Sequence, residues 1–147
     1  MNQQETRHLA TDLRTVVTRL TKKLRKKSAT GAKLSLTARS VIAQLDQHGT
    51  MLPTELAAAE KITTQSMSQL LGQLLEMGVI NRTLSTQDKR KVLISLTDYG
   101  TELINQVRHE REEWLLKAME QVCTPDEQEV LRKAIGPLSR LVDFDPS

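Results

Sequence analysis

Residues 61–97 read KITTQSMSQLLGQLLEMGVINRTLSTQDKRKVLISLT, and the fold turns on the change of period at their midpoint. Up to Met77 the apolar residues Met67, Leu70, Leu71, Leu74 and Leu75 recur at three- and four-residue spacing, the inward stripe of a helix over 64–77. Thr63 is suited to cap that helix, because its hydroxyl can accept an N–H that the first turn leaves unbonded. Met77 and Gly78 end it. From residue 79 the pattern becomes VINRTL and KVLISL, two β-branched and aliphatic runs separated by polar STQDKR, which predicts a two-stranded hairpin with a long tip. Upstream, MLPTELAAAE at 51–60 places Pro53 at the start of a short alanine-rich helix, where its missing N–H costs nothing. Helix, turn, helix, hairpin is a winged helix.

Outward from this centre the chain is helical. A helix from about Thr37 to Gln47 packs through Val41, Ile42 and Leu45 and closes at Gly49. Before it, Leu9, Leu13, Val16, Val17, Leu20 and Leu24 mark an amphipathic helix over about 5–27. After Thr97, Leu103, Ile104, Val107, Trp114, Leu115, Ala118 and Val122 share one face of a long helix reaching about 122. A last helix opens at TPDE, with Thr124 as cap, Pro125 in the first turn and Glu127 completing a capping box. Gly136-Pro137 is expected to kink or interrupt it. The predicted class is mainly α with a small β wing, in the order four helices, two strands, two helices. The whole of 1–147 is expected to be one domain: a winged helix-turn-helix over 35–97, flanked by helical dimerisation parts at 5–30 and 98–143.

Net charge is +3, but unevenly spread: +6 over residues 1–30, +2 over 31–97 and −5 over 98–147. A basic front and an acidic tail suggest that one surface meets a polyanion while another serves a different purpose. The basic run KKLRKKS at 22–28 is also read as compensation for the helix dipole, with DNA-backbone contact as the alternative. The single cysteine, Cys123, excludes an internal disulfide framework and has no adjacent cation to activate it. His8, His48 and His109 are not at metal-ligand spacing. No apolar run approaches a membrane span or a signal peptide, so no membrane association and a cytoplasmic location are expected. No Ser-His-Asp order, carboxylate pair, phosphate loop or metal spacing is present, so neither an enzyme nor a cofactor is expected.

DKRKVLISLT at 88–97 followed by DYG, with LPTELA upstream and ITTQSMSQLL and LEMGVINR between, resembles the MarR family of bacterial winged-helix transcription regulators. The resemblance rests on an Asp-x-Arg in the wing (Asp88, Arg90), a Leu-Thr closing the second wing strand (Leu96, Thr97) and Glu55-Leu56-Ala57 before the recognition helix. It covers nearly the whole chain. It implies a homodimer on double-stranded DNA and a small anionic aromatic effector held between the dimer helices and the reading head. Asp88 would, by the same resemblance, brace the arginine or the wing base.

The residues assign the rest. N-terminal positions of such a helix face base edges in the major groove, which selects Thr63, Thr64, Gln65, Ser66, Ser68 and Gln69. Glutamine can pair bidentately with adenine. Related regulators commonly carry Arg where Gln69 and Gln73 stand, and no charge lies between Lys61 and Glu76. Phosphate anchoring must therefore come from elsewhere, and the candidates are Arg39, Thr54, Lys61, Arg82, Lys89, Arg90 and Lys91. Arg90 is the residue chosen for the minor groove, whose narrow form attracts arginine. The leading reading is a ligand-responsive repressor. A constitutive DNA binder without an effector and a winged-helix protein-interaction module are the alternatives.

Overall fold

The computed structural model describes residues 1–146, which fall into two compact units, Met1–Arg111 and a second beginning at Glu112. The first unit holds α1 (Gln3–Lys27), a short 3-10 turn (Gly31–Lys33), α2 (Leu36–His48), β1 (Thr50–Met51), α3 (Pro53–Glu60), α4 (Thr64–Glu76), β2 (Ile80–Leu84), β3 (Val92–Leu96) and the first half of α5 (Asp98–Val122). The second half of α5 and α6 (Pro125–Asp143) make up the other. The winged-helix order expected from the sequence is present, with six helices and a small sheet.

Helix starts follow the capping chemistry. Asn2 accepts from the Glu5 N–H at 2.8 Å while the Glu5 carboxylate accepts from the Asn2 N–H, so α1 begins two residues earlier than the apolar stripe suggested. Thr124 and Glu127 open α6 with the same reciprocal pair, while Ser35 and Thr63 cap α2 and α4 by their hydroxyls alone. Glu55 accepts from the Leu52 N–H at 2.8 Å to open α3, while Leu56 and Ala57 are buried beneath it. That division of labour is why the Glu-Leu-Ala triplet occurs where it does. In α6 the helix runs through Gly136-Pro137 without interruption, because losing one N–H from a 19-residue helix leaves its other bonds in place.

The sheet has three strands rather than two, in the order β1-β3-β2 and antiparallel throughout. Arg82 pairs with Ile94 across the hairpin, and Met51 pairs with Ile94 on the other side of β3. Two residues are too short to show alternation. β1 exists because the hairpin leaves β3 an open edge whose N–H and C=O groups need partners.

The core of the first unit is built from Leu34, Val41, Ile42 and Leu45 of the α2 region, Leu56 of α3, Met67, Leu71 and Leu74 of α4, Val79, Ile80, Ile94, and Leu103 and Ile104 of α5. Leu75 was expected on the inward stripe but is 40% exposed. At about 100° per residue it lies roughly 80° round the helix from Met67, past the edge of the buried face. Among the described residues no helix is long and apolar enough to cross a membrane, and no group of three or more His, Cys, Asp or Glu side chains could hold a metal.

The LTDYG segment locks the wing to α5. Thr97 Oγ1 donates to the Gly78 carbonyl at 2.6 Å and accepts from the Gly100 N–H at 2.9 Å, while the Thr97 N–H donates to Val79 O at 3.0 Å. A Cβ on Gly100 would stand 2.2 Å from the Val79 carbonyl oxygen, a backbone atom that cannot swing aside. Gly100→Ala is therefore expected to destabilise the fold by about 1–3 kcal/mol, an overpacking cost read from urea unfolding. An unchanged midpoint would show that α5 can shift freely at this point.

Candidate nucleic-acid interface

Helix α4 is polar outside and apolar inside, and its start is well defined. The Thr63 hydroxyl accepts from the Ser66 N–H at 3.0 Å and also donates to Ser66 Oγ at 3.0 Å, so both hydroxyls are oriented by one cap. Thr63, Thr64, Gln65, Ser66, Ser68 and Gln69 are all exposed, as are Gln73 and Glu76. With Met67, Leu71 and Leu74 buried, the centre of the outward face is the line Gln65, Gln69, Gly72, Glu76. The uncharged side chains are thus gathered on one surface at the helix N-terminus. The turn that presents them places Lys61 in the left-handed region (φ 55), where its N–H bonds Ala58 O at 3.2 Å and its side chain remains exposed.

The wing tip is a structured turn. Ser85 N–H donates to Lys91 O at 2.9 Å and Lys91 N–H donates to Asp88 O at 2.9 Å. Ser85 Oγ accepts from the N–H groups of Gln87 and Asp88 at 3.2 and 3.3 Å. The Asp88 carboxylate accepts from the Arg90 N–H at 3.1 Å, from Arg90 Nε at 3.2 Å and from Arg90 Nη2 at 3.4 Å. The side-chain bond to Arg90 and then the backbone bond hold the Asp88 carboxyl below its usual pKa. Arg90 is 91% exposed at the side chain, so the brace directs the guanidinium without covering it. Lys89 and Lys91 beside it are exposed, as are Arg82 on β2 and Thr54 in the first turn of α3. Ser85, which the sequence reading leaves out, forms this turn through its own hydroxyl, which bonds the backbone N–H two residues on.

Arg39 does not join this set. It is 6% exposed, with Nε donating to Gly31 O at 3.1 Å and Nη2 donating to the same carbonyl and to Arg25 O at 3.4 Å. Burial, then the charges of Arg111 and Arg25, lowers its pKa from the ordinary guanidinium value. Ser28, also buried, bonds the Gly31 N–H and the Glu110 carboxylate. Arg39 thus ties the end of α1 to α2, bonding a carbonyl in the last turn of α1 and adding to the Leu34 N–H that Gly31 O already accepts. Its position near a helix start suggested phosphate contact, and nothing in the sequence marks it as buried.

A braced arginine on a hairpin, beside a capped helix with a polar outward face, defines a winged helix-turn-helix protein of the DNA-binding class. The MarR family model matches residues 34–92. An uncharacterised HTH-type transcriptional regulator of Mycobacterium leprae is 33% identical over 138 residues, covering 94% of this chain and 95% of its own length. The same figures hold for an HTH-type transcriptional regulator of Mycobacterium tuberculosis. A solved Pseudomonas aeruginosa protein described as a transcriptional regulator superposes with a TM-score of 0.86 at 32% identity, covering 98% of this chain and 100% of that one. A Staphylococcus aureus MepR variant bound to an oligodeoxyribonucleotide has the same fold, with a TM-score of 0.69 at 20% identity, covering 90% of this chain and 97% of that one. The chain belongs to the MarR family of transcriptional regulators. Such proteins are not enzymes.

Asp88 loses its charge only as pH falls through a value already below the usual carboxylate range, so its grip on Arg90 is complete above that range. Affinity for DNA is accordingly expected to show no Asp88-dependent change between about pH 6 and 8, and native and Asp88→Asn proteins should have parallel pH profiles there. A step in the native profile absent from the variant would contradict this.

Proposed function

We propose that the protein is a homodimeric, ligand-responsive repressor that reads a pseudo-palindromic operator. Helix 63–77 enters the major groove and the 83–95 wing lies along the minor groove. The observation that carries this reading is the pairing of an uncharged, capped reader with a wing tip whose arginine is braced by Asp88. Gln65 and Gln69 read base edges, with adenine the natural bidentate partner, while Thr63, Thr64, Ser66 and Ser68 supply shorter contacts. Thr54, Lys61, Arg82, Lys89 and Lys91 hold phosphates, and Arg90 enters the minor groove.

Apolar exposure supports the dimer. Leu9, Val16, Val17 and Leu20 of α1 lie open to solvent, as do Val130, Leu131, Ile135 and Leu141 of α6. Neither helix has a fully buried residue among those described. Within the second unit a cavity of about 580 Å³, lined by Leu115, Met119, Leu131 and Ile135 among others, offers apolar surface for a second copy to cover. An obligate interface of this kind buries on the order of 2,000 Å² or more. A pair of heads so held would read half-sites about one helical turn apart.

For the effector, a cleft of about 320 Å³ in the first unit is lined by Lys33, Leu34, Met77, Tyr99 and Leu103. With Ala29 and Thr30 completing the lining, one ammonium group, two hydroxyls and otherwise apolar side chains suit a small aromatic anion. Binding there would alter operator affinity by as much as the ligand discriminates between two spacings of the heads.

Sedimentation should find a dimer at micromolar concentration, and a monomer there would remove the basis for paired half-sites. With about five cations per protomer at the DNA (Lys61, Arg82, Lys89, Arg90 and Lys91), the slope of log K against log salt should be near −9, and one shallower than about −3 would contradict the assigned anchors. Gln65→Ala and Gln69→Ala should relax sequence preference at constant slope, whereas Arg90→Ala should weaken binding and flatten it. Anisotropy titrations at several salt concentrations read both quantities. Phenolic acids that raise the melting temperature would mark a true effector, and their failure to do so would favour a constitutive binder.

A further inference from the structure

Five of the six glycines have a reason within the fold. Gly49 and Gly78 have positive φ, at 82 and 76°. Added Cβ atoms on Gly31 and Gly100 would crowd neighbours at 3.1 and 2.2 Å. Gly136 precedes Pro137, where a Cβ would press on the proline ring. Gly72 has none of these: it is the ninth residue of the 13-residue helix α4, its φ is not positive, and a Cβ added to it meets nothing within 4 Å. Only proline is less favourable than glycine inside a helix, so the fold by itself would be better served by alanine.

Its position gives the omission a use. Gly72 lies on the outward face of α4, four residues after Ser68, three after Gln69 and four before Glu76. Because side chains tilt towards the helix N-terminus, the missing methyl would stand over the turn that carries Ser68 and Gln69. We propose that Gly72 is the close-approach point of the recognition helix to DNA. The notch admits the deoxyribose-phosphate strand that walls the major groove, and so sets how deeply α4 seats and which base edges Gln65 and Gln69 reach. Glycine is the residue used wherever a backbone must come close to a ligand. Glu76, one turn further along the same line, is a carboxylate that phosphates repel, so the strand passes at Gly72 and not beyond it. The contact is steric and neutral, because the Gly72 N–H lies within the helix ladder.

The inference rests on the reading of α4 as the major-groove helix. Gly72→Ala and Gly72→Leu test it against a duplex selected from random DNA by the native protein, with Gln69→Ala as the control for that reading. Alanine and leucine favour the helix by similar amounts, so both variants should melt at or above the native temperature. Affinity should nonetheless fall by about tenfold for alanine and further for leucine, at an unchanged salt slope. Equal losses for the two would point to helix stiffness rather than contact and overturn the proposal, as would a lowered melting temperature for Gly72→Ala. Native affinity in both variants, with Gln69→Ala still altering sequence preference, would overturn it while leaving the major-groove reading intact. If Gln69→Ala also has no effect, both fall.

Discussion

The hydroxyl of Thr97 bonds the carbonyl of Gly78, which follows α4, and receives the N–H of Gly100 in the first turn of α5. Its own N–H bonds Val79 at the base of the wing. The end of α4, both wing strands and the start of α5 therefore meet at one residue. The side chains proposed to face DNA begin at the opposite end of α4, some 13 residues away at Gln65, so a small rotation at this joint becomes a larger displacement there. Gly78 and Gly100 make the joint tight, one by adopting positive φ and the other by letting a helix press on a carbonyl.

On the proposed reading, affinity and selectivity are divided between elements. An uncharged helix draws little from the general attraction to phosphates, which is the largest sequence-independent term in DNA binding. It gains discrimination instead, since a glutamine that loses its base partner leaves a desolvated amide. The cations lie around the helix, in the turn, on β2 and at the wing tip. The Asp88–Arg90 pair is too exposed to contribute much to stability, so its value lies in orientation: three hydrogen bonds to one arginine limit the directions its guanidinium can take.

Arg39 shows how the same residue type takes another role when buried. Its charge is met by carbonyl oxygens and not by a carboxylate, an arrangement that satisfies donors and helix-end acceptors together. Through it the end of α1 is fixed to α2, and through Ser28 and Glu110 to α5. The dimerisation proposed for α1 would in this way be mechanically continuous with the reading head.

Much of this architecture was legible in the chain alone. Apolar periodicity located the helices, the switch to β-branched runs located the wing, and Thr63, Thr124 and Glu127 marked helix starts through local chemistry. Those features depend on neighbours within a few residues, which is why a sequence can carry them. The exposed polar face of α4 was legible for the same reason, since the outward face of an amphipathic helix follows from its inward one. What only the tertiary structure decided involves partners distant in the chain. β1 forms because β3 has an open edge, Leu75 is exposed because the core ends short of it, and Arg39 is buried because Gly31 and Arg25 come to meet it. The bond from the Thr97 hydroxyl to Gly78, one of those that join the wing base to the end of α4, spans 19 residues, and no local pattern announces it.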